Sequence, residues 1–356
     1  MLDFLVTVVE ATLTANMGNT DDNHGVRSNT EERVMRNSRH ISAWILMLGL
    51  CVLETGSARA AGGFDTLAAH ASRTEEVIVG VDHRRLKAHP DREPLLRLAV
   101  SRALLPSVVL DAGACLTSGS ELHRSVSVRD AGARTVHVLE GVFDTRCTEA
   151  FYRKKSMGSK IQKKPSSSGT IAGKPSVAVN RNQSIVFLNK RLAFVANAAV
   201  LESYLKAVLG KKKDVLSGRE SKRLYRAVTK KSPLVWAFSI VPKRIRKRYA
   251  GTADADFSHV KSFYLSVYGH SGADAVLMSE LQTKTQAKKL KSLVTKRIES
   301  RVGDSLLLRA MGVSGMIQDG IKLSTKGANL EAKIKISPLQ MAILARYAGK
   351  ILAILE

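Results

Sequence analysis

The chain has 356 residues, 44% of them hydrophobic, with 56 Lys and Arg against 31 Asp and Glu, a formal net charge of +25. That apolar content can build a core and excludes wholesale disorder, and the length allows one large domain or two smaller ones. Residues 1–60 hold five Arg, no Lys and seven acidic residues, so the basic excess, +27, belongs to the remainder. A field of that sign favours anionic partners: nucleic acid, acidic polysaccharide or lipid headgroups.

Residues 1–34 read as a disordered upstream extension, with Met35 placed to start the next unit. Arg36, Arg39 and His40 precede an apolar run from Ile41 to Leu53, and Ala58-Arg59-Ala60 follows it. A positive flank, a short apolar stretch and a small-x-small exit are the parts of a secretory signal peptide, here 35–60. The run is shorter than the roughly 20 residues that span a bilayer as a helix. Cys51 raises lipid anchoring, but bulky Leu50 stands where a lipobox needs a small residue. Export would place the mature chain in a periplasmic or extracellular compartment. Since no later segment reaches 18 apolar residues, it would be soluble there.

From residue 61 the pattern alternates strands with amphipathic helices. Val77–Val81 reads as a buried strand and Asp91–Leu105 as a helix. Ser125–Arg129 and Thr135–Phe143 form a hairpin around Asp130–Arg134. Residues 153–175 are basic and rich in Ser and Gly, which predicts a mobile loop. Strands follow at Ser176–Asn180, Ile185–Leu188 and Arg191–Val195. Asn197 is then placed to cap a helix that carries Val200, Leu201, Tyr204, Leu205 and Val208.

The second half repeats the plan. Ser217-Gly218-Arg219-Glu220 has the capping-box pattern, and Leu234–Val241 reads as a buried strand. Ser262–Tyr268 and Ala275–Gln282 pair across a Gly269–Gly272 turn. Lys284–Ile298 has helical spacing, with Ala287, Leu290 and Val294 on one face and a Lys/Arg face opposite. Ile321–Ser324 and Leu330–Ile336 form a last hairpin, in which Leu330, Ala332, Ile334 and Ile336 alternate with Glu331, Lys333 and Lys335. A final helix starts at Ser337-Pro338.

The expected fold is α+β, two similar units of antiparallel sheet with packed helices, at 61–210 and 211–356. Val136 corresponds to Val276 and Leu201 to Ile343. This order of elements over residues 41–356 resembles uncharacterised exported α+β proteins of bacterial envelopes. The resemblance implies no particular activity.

No motif specifies catalytic residues, a cofactor or a metal. Gly269-His270-Ser271-Gly272-Ala273 echoes a nucleophile elbow but joins two strands and lacks the last glycine. Asp254 and Asp256 have no supporting calcium loop, and His83 and His89 lack zinc-ligand spacing. Gly210-Lys211-Lys212-Lys213 is no phosphate loop but a basic helix end. Anion binding is assigned to the dense run Lys243, Arg244, Arg246, Lys247 and Arg248, assisted by Lys154, Lys155, Lys163 and Lys164. Aromatic residues are sparse around these runs, which disfavours a stacking platform for single strands. After signal removal Cys115 and Cys147 are the only cysteines, and an oxidising compartment invites a disulfide between them. The reading is a non-enzymatic structural or binding protein of the envelope. The alternatives are a basic binder of anionic polymer or nucleic acid, and a hydrolase with an unrecognised site.

Overall fold

The computed structural model describes residues 64–71, 77–86, 106, 121–129, 134–157, 168–180, 182–210, 214–250, 255–270, 272–300 and 313–337. The signal segment, the helix expected over Asp91–Leu105, Cys115, Lys163, Lys164 and the helix expected after Pro338 lie outside these residues.

The described strands are β1 (Val77–Asp82), β2 (Glu121–Arg129), β3 (Thr135–Val142), β4 (Ser168–Ile171), β5 (Lys174–Asn180), β6 (Gln183–Asn189), β7 (Leu192–Ala196), β8 (Val235–Ile240), β9 (Val260–His270), β10 (Gly272–Leu281), β11 (Ile321–Lys326) and β12 (Asn329–Ile336). They form one sheet in the order β11-β12-β10-β9-β8-β1-β2-β3-β7-β6-β5-β4. Every neighbouring pair is antiparallel. The fold is therefore α+β with a large antiparallel sheet. The expectation of a separate sheet in each half is corrected: β1 pairs with β8 over Val77↔Ser239 to Val81↔Val235 and joins them edge to edge. Unpaired central edges would leave rows of backbone donors and acceptors exposed, and this pairing satisfies them.

Strand alternation gives the sheet two faces. On one lies a core of Ile78, Val126, Val138, Phe194, Trp236 and Phe238. It is covered by the short helix α1 (Asp65–Ala68), by α4 (Ala198–Leu209) through Leu201 and Leu205, and by α5 (Arg219–Thr229) through Leu224 and Val228. Phe64, only a few residues past Ala60, is already in this core, edge-on to Trp236 at 5.4 Å between ring centroids. On the opposite face, Leu139, Val177, Ile185, Phe187 and Val195 pack with Tyr152 of α3 (Thr145–Met157). The register puts buried Leu265, Leu277 and Ala332 on that same face, and there α7 (Lys284–Ile298), whose Ala287, Leu290 and Val294 are buried, packs on β10, β11 and β12. The remaining helices among the described residues are α2 (His83–Leu86), α6 (Lys243–Tyr249) and α8 (Val313–Gly320). Among the described residues no helix is long and apolar enough to cross a membrane.

Local chemistry explains most boundaries. Asn197 caps α4, its side chain accepting from Ala199 N–H. Thr283 caps α7 in the same way, accepting from Gln286 N–H. Along β12, Leu330, Ala332 and Ile334 are buried while Lys333 and Lys335 are exposed, the alternation expected of a strand with one wet face. Gly269–Gly272 does join paired strands, β9 and β10, with Gly272 opposite His270.

Two local expectations are corrected. The 153–175 stretch is not one continuous loop. Residues 153–157 finish α3, and β4 and β5 form a hairpin at the sheet edge. Asp144 opens α3, accepting from Cys147 N–H at 3.0 Å, and buried Tyr152 anchors it. The β4–β5 turn places Ala172 (φ 51°) and Gly173 (φ 72°) in the left-handed region, the pattern of a tight hairpin turn. The capping box at 217–220 does not form either. Gly218 is the N-cap of α5 and supplies no side chain, while Ser217 belongs to a 3₁₀ turn capped by Asp214.

Candidate functional site

The dense basic run folds as α6, a seven-residue helix that leaves β8 after Val241-Pro242. Proline cannot continue a ladder and pre-sets the backbone for the turn into the helix. Lys243, Arg244 and Lys247 are exposed and Arg246 is half-buried. Arg248 lies in the same helix. α6 packs on the 3₁₀ turn Ala255–His259, whose Phe257 is buried. α7 packs on that turn too, with the Arg297 guanidinium 5.4 Å from the centre of the Phe257 ring. Beside α6, Val241 N–H donates to Lys261 O at 2.8 Å, and Lys261 is exposed.

Of the other assigned cations, Lys154 and Lys155 stand on α3, at the far half of the sheet. Lys154 is exposed there and Lys155 is part of the helix. The strand order puts several strands between α3 and α6, so the structure does not bring Lys154 and Lys155 to α6. Cys147 sits half-buried in the first turn of α3.

Of the buried polar groups paired on the central strands, sequence reasoning weighed His83 alone, and only as a metal ligand. On the face that carries α3 and α7, His83 Nε2 lies 2.8 Å from Ser125 Oγ, and His137 Nδ1 lies 2.7 Å from Ser127 Oγ. All four residues are buried. Burial pushes the His137 imidazole down to about 3, so it is neutral and hydrogen-bonded at any ordinary pH. A serine–histidine pair is half of a nucleophilic constellation. The carboxylates of the neighbouring strands, Asp82 and Glu140, stand opposite Arg124 in the register and so project from the other face. There Arg124 lies 3.7 Å from Asp82 and 3.5 Å from Glu140, with its guanidinium 5.7 Å from the centre of the Phe64 ring. Tyr225 donates to Asp65 at 2.7 Å, and burial, then that carboxylate, raises its phenol. The chemistry available to both groups is internal: hydrogen-bonded pairs satisfy polar atoms on one face, and an ion cluster ties β1, β2 and β3 on the other.

At half-buried His123, burial and then the neighbouring Arg84 lower the imidazole, in keeping with Arg84 Nη2 donating to Nε2 at 2.7 Å. Among the described residues no three His, Cys, Asp or Glu side chains converge to hold a metal ion. Asp256 lies in the 3₁₀ turn, and Asp254 lies outside the described residues.

No protein-family model matches the chain. No curated protein matches it either. Among solved structures it is similar to the one titled "Structure of crystal form I of TP0453", at 6% identity and a TM-score of 0.48, covering 78% of this chain and 96% of that one.

Proposed function

We propose that this chain is an exported, non-enzymatic envelope protein that binds anionic polymer or lipid headgroups through its basic surface. The observation that carries the binding role is α6: a solvent-facing helix in which Lys243, Arg244 and Lys247 are exposed and no residue is acidic. Export rests on the tripartite pattern at 35–60. Burial of Phe64 is compatible with cleavage after Ala60, since that cut leaves the core residue in the mature chain.

Replacing Lys243, Arg244 and Lys247 with Gln tests the binding role. At roughly 1 kcal/mol per charge near an anionic surface, affinity at low salt should fall about 100-fold. The parent's binding should also weaken steeply with added salt. Unchanged affinity, or binding indifferent to salt, would reduce α6 to a solvated helix. Export is tested by the intact mass of protein recovered from the envelope. It should start at Ala61 and be lighter than the reduced chain by two hydrogens, for a Cys115–Cys147 bond. An intact Met35 terminus counts against export, and two titratable thiols count against the bond.

We infer that the two halves descend from a duplication. Outward from the β1–β8 pair the order is β1-β2-β3-β7-β6 on one side and β8-β9-β10-β12-β11 on the other. Following the register from Val77↔Arg129 and Arg129↔Thr135, and from Val235↔Val267 and Val267↔Ala275, sets Thr135 against Ala275, the offset of Val136 and Val276. The helices α3 and α7 follow the third strand of each side and lie on one face of the sheet. Among the described residues the β4–β5 hairpin has no counterpart in the second half. A shared profile between 74–210 and 214–356 across relatives is the test, and its absence would refute common descent.

A further inference from the structure

The run 243–248 is not the whole of the basic surface. α7 carries Lys284, Lys288, Lys289, Lys291, Lys296 and Arg297 and no acidic residue. In sequence it lies some way from α6, but both helices rest on the Ala255–His259 turn. Exposed Lys261 accepts, through its carbonyl, from Val241 N–H just before α6. We propose that α6, Lys261 and α7 form one continuous cationic surface that binds a linear phosphate polymer through backbone charge alone. This rests on the anion-binding role of α6 and deepens it.

Three observations choose the polymer over other anions. The charge is spread out: α7 is about 22 Å long at 1.5 Å per residue, and its exposed lysines recur at one- to two-turn spacing from Lys284 to Lys296. A small phosphate needs a compact cluster of donors, whereas a repeating polyanion matches a lane of cations. The outward positions of α7, Lys284, Thr285, Lys288, Lys289, Ser292 and Lys296, are exposed and polar. Ala287, Leu290 and Val294 are buried and Leu293 and Ile298 half-buried, so the exposed face is polar and offers no apolar stripe to a headgroup layer. Neither helix exposes an aromatic ring for base stacking: α7 contains none, and Tyr249 of α6 is half-buried. What remains is recognition of backbone charge, with release of the polymer's counterions.

The probe is inorganic polyphosphate long enough to span both helices, with inorganic phosphate and vesicles containing anionic phospholipid as separate arms. Two variants of the full chain are compared with the parent: Lys243→Gln/Arg244→Gln/Lys247→Gln, and Lys284→Gln/Lys288→Gln/Lys289→Gln/Lys296→Gln. The α7 positions are exposed and Gln is about as good a helix former as Lys, so an unchanged unfolding midpoint verifies the fold. The α7 variant should lose at least about tenfold in polyphosphate affinity at low salt. The slope of log affinity against log salt should shrink by about three. Loss with the α6 variant alone would overturn the composite surface and leave the role of α6 standing. No loss with either would overturn both. Binding to vesicles but not to polyphosphate, or equal binding of inorganic phosphate, would overturn the linear polymer.

Discussion

Gly80→Ala should unfold or severely destabilise this protein, by at least about 3 kcal/mol. Gly80 lies opposite Trp236 in the central β1–β8 pair. A Cβ built at Gly80 would sit 2.1 Å from Trp236 Cε2 and 2.4 Å from Nε1, well inside van der Waals contact. The indole cannot retreat. It is fully buried, stacked on Phe238 at 5.9 Å, and met edge-on by Phe64 and by Tyr225 at 5.7 Å. Interiors packed to crystal density transmit such an overlap instead of absorbing it. Trp236→Ala alone should cost about 3–5 kcal/mol through the cavity it leaves. The decisive outcome is the double variant: with the ring gone, the methyl added at position 80 enters vacated space, and Gly80→Ala should then cost almost nothing. Denaturant unfolding with a constant slope measures all three. A single Gly80→Ala variant within about 0.5 kcal/mol of the parent would mean that the indole does not lie over that glycine.

His137 should make the protein acid-labile well above the carboxylate range. The folded imidazole titrates near 3 because burial penalises its charged form, while in the unfolded chain it returns to about 6.5. Between those values the unfolded state binds a proton that the native state does not. Stability therefore rises with pH across that window, and it is fully present above about 6.5. As pH falls below 6.5 it is lost at about 1.4 kcal/mol per unit, until the native state itself protonates near 3. Carboxylate titration enters at the acid end, so the clean comparison is the slope from pH 6.5 to 5 in the parent and in His137→Gln. Gln keeps a partner for Ser127 Oγ but does not titrate. The variant should lose stability at pH 7.5 through imperfect packing, yet its curve from pH 6.5 to 5 should be flatter by about 1 kcal/mol per unit. Identical slopes would show that His137 is hydrated in the folded protein.

The corrections share a cause. β4 reads as loop because Ser168-Gly169-Thr170-Ile171 offers one large apolar side chain; it is a strand because β5 supplies its hydrogen-bond partners from Lys174 to Val177. α3 carries nearly as much charge as apolar surface, and its place is decided by buried Tyr152 meeting the Val177 and Phe187 side of the sheet. At Ser217 the capping pattern competes with a nearer partner, Asp214, whose carboxylate reaches Ser217 N–H at 2.7 Å.

Where a segment's own periodicity matched its environment, the sequence by itself determined the outcome: the bounds of α7, the Asn197 cap, the wet and dry sides of β12, and the turn between β9 and β10. These depend on interactions within a few residues, or on a single apolar face seeking burial. Only the tertiary structure decided that β1 pairs with β8 and merges both halves into one sheet, that Gly80 makes room for Trp236, and that Ser127 meets His137 inside it. It also packed α7 on the same turn as α6. Those are contacts between side chains far apart in the chain, and their energy depends on register and on which face each strand turns inward, quantities that no local window carries.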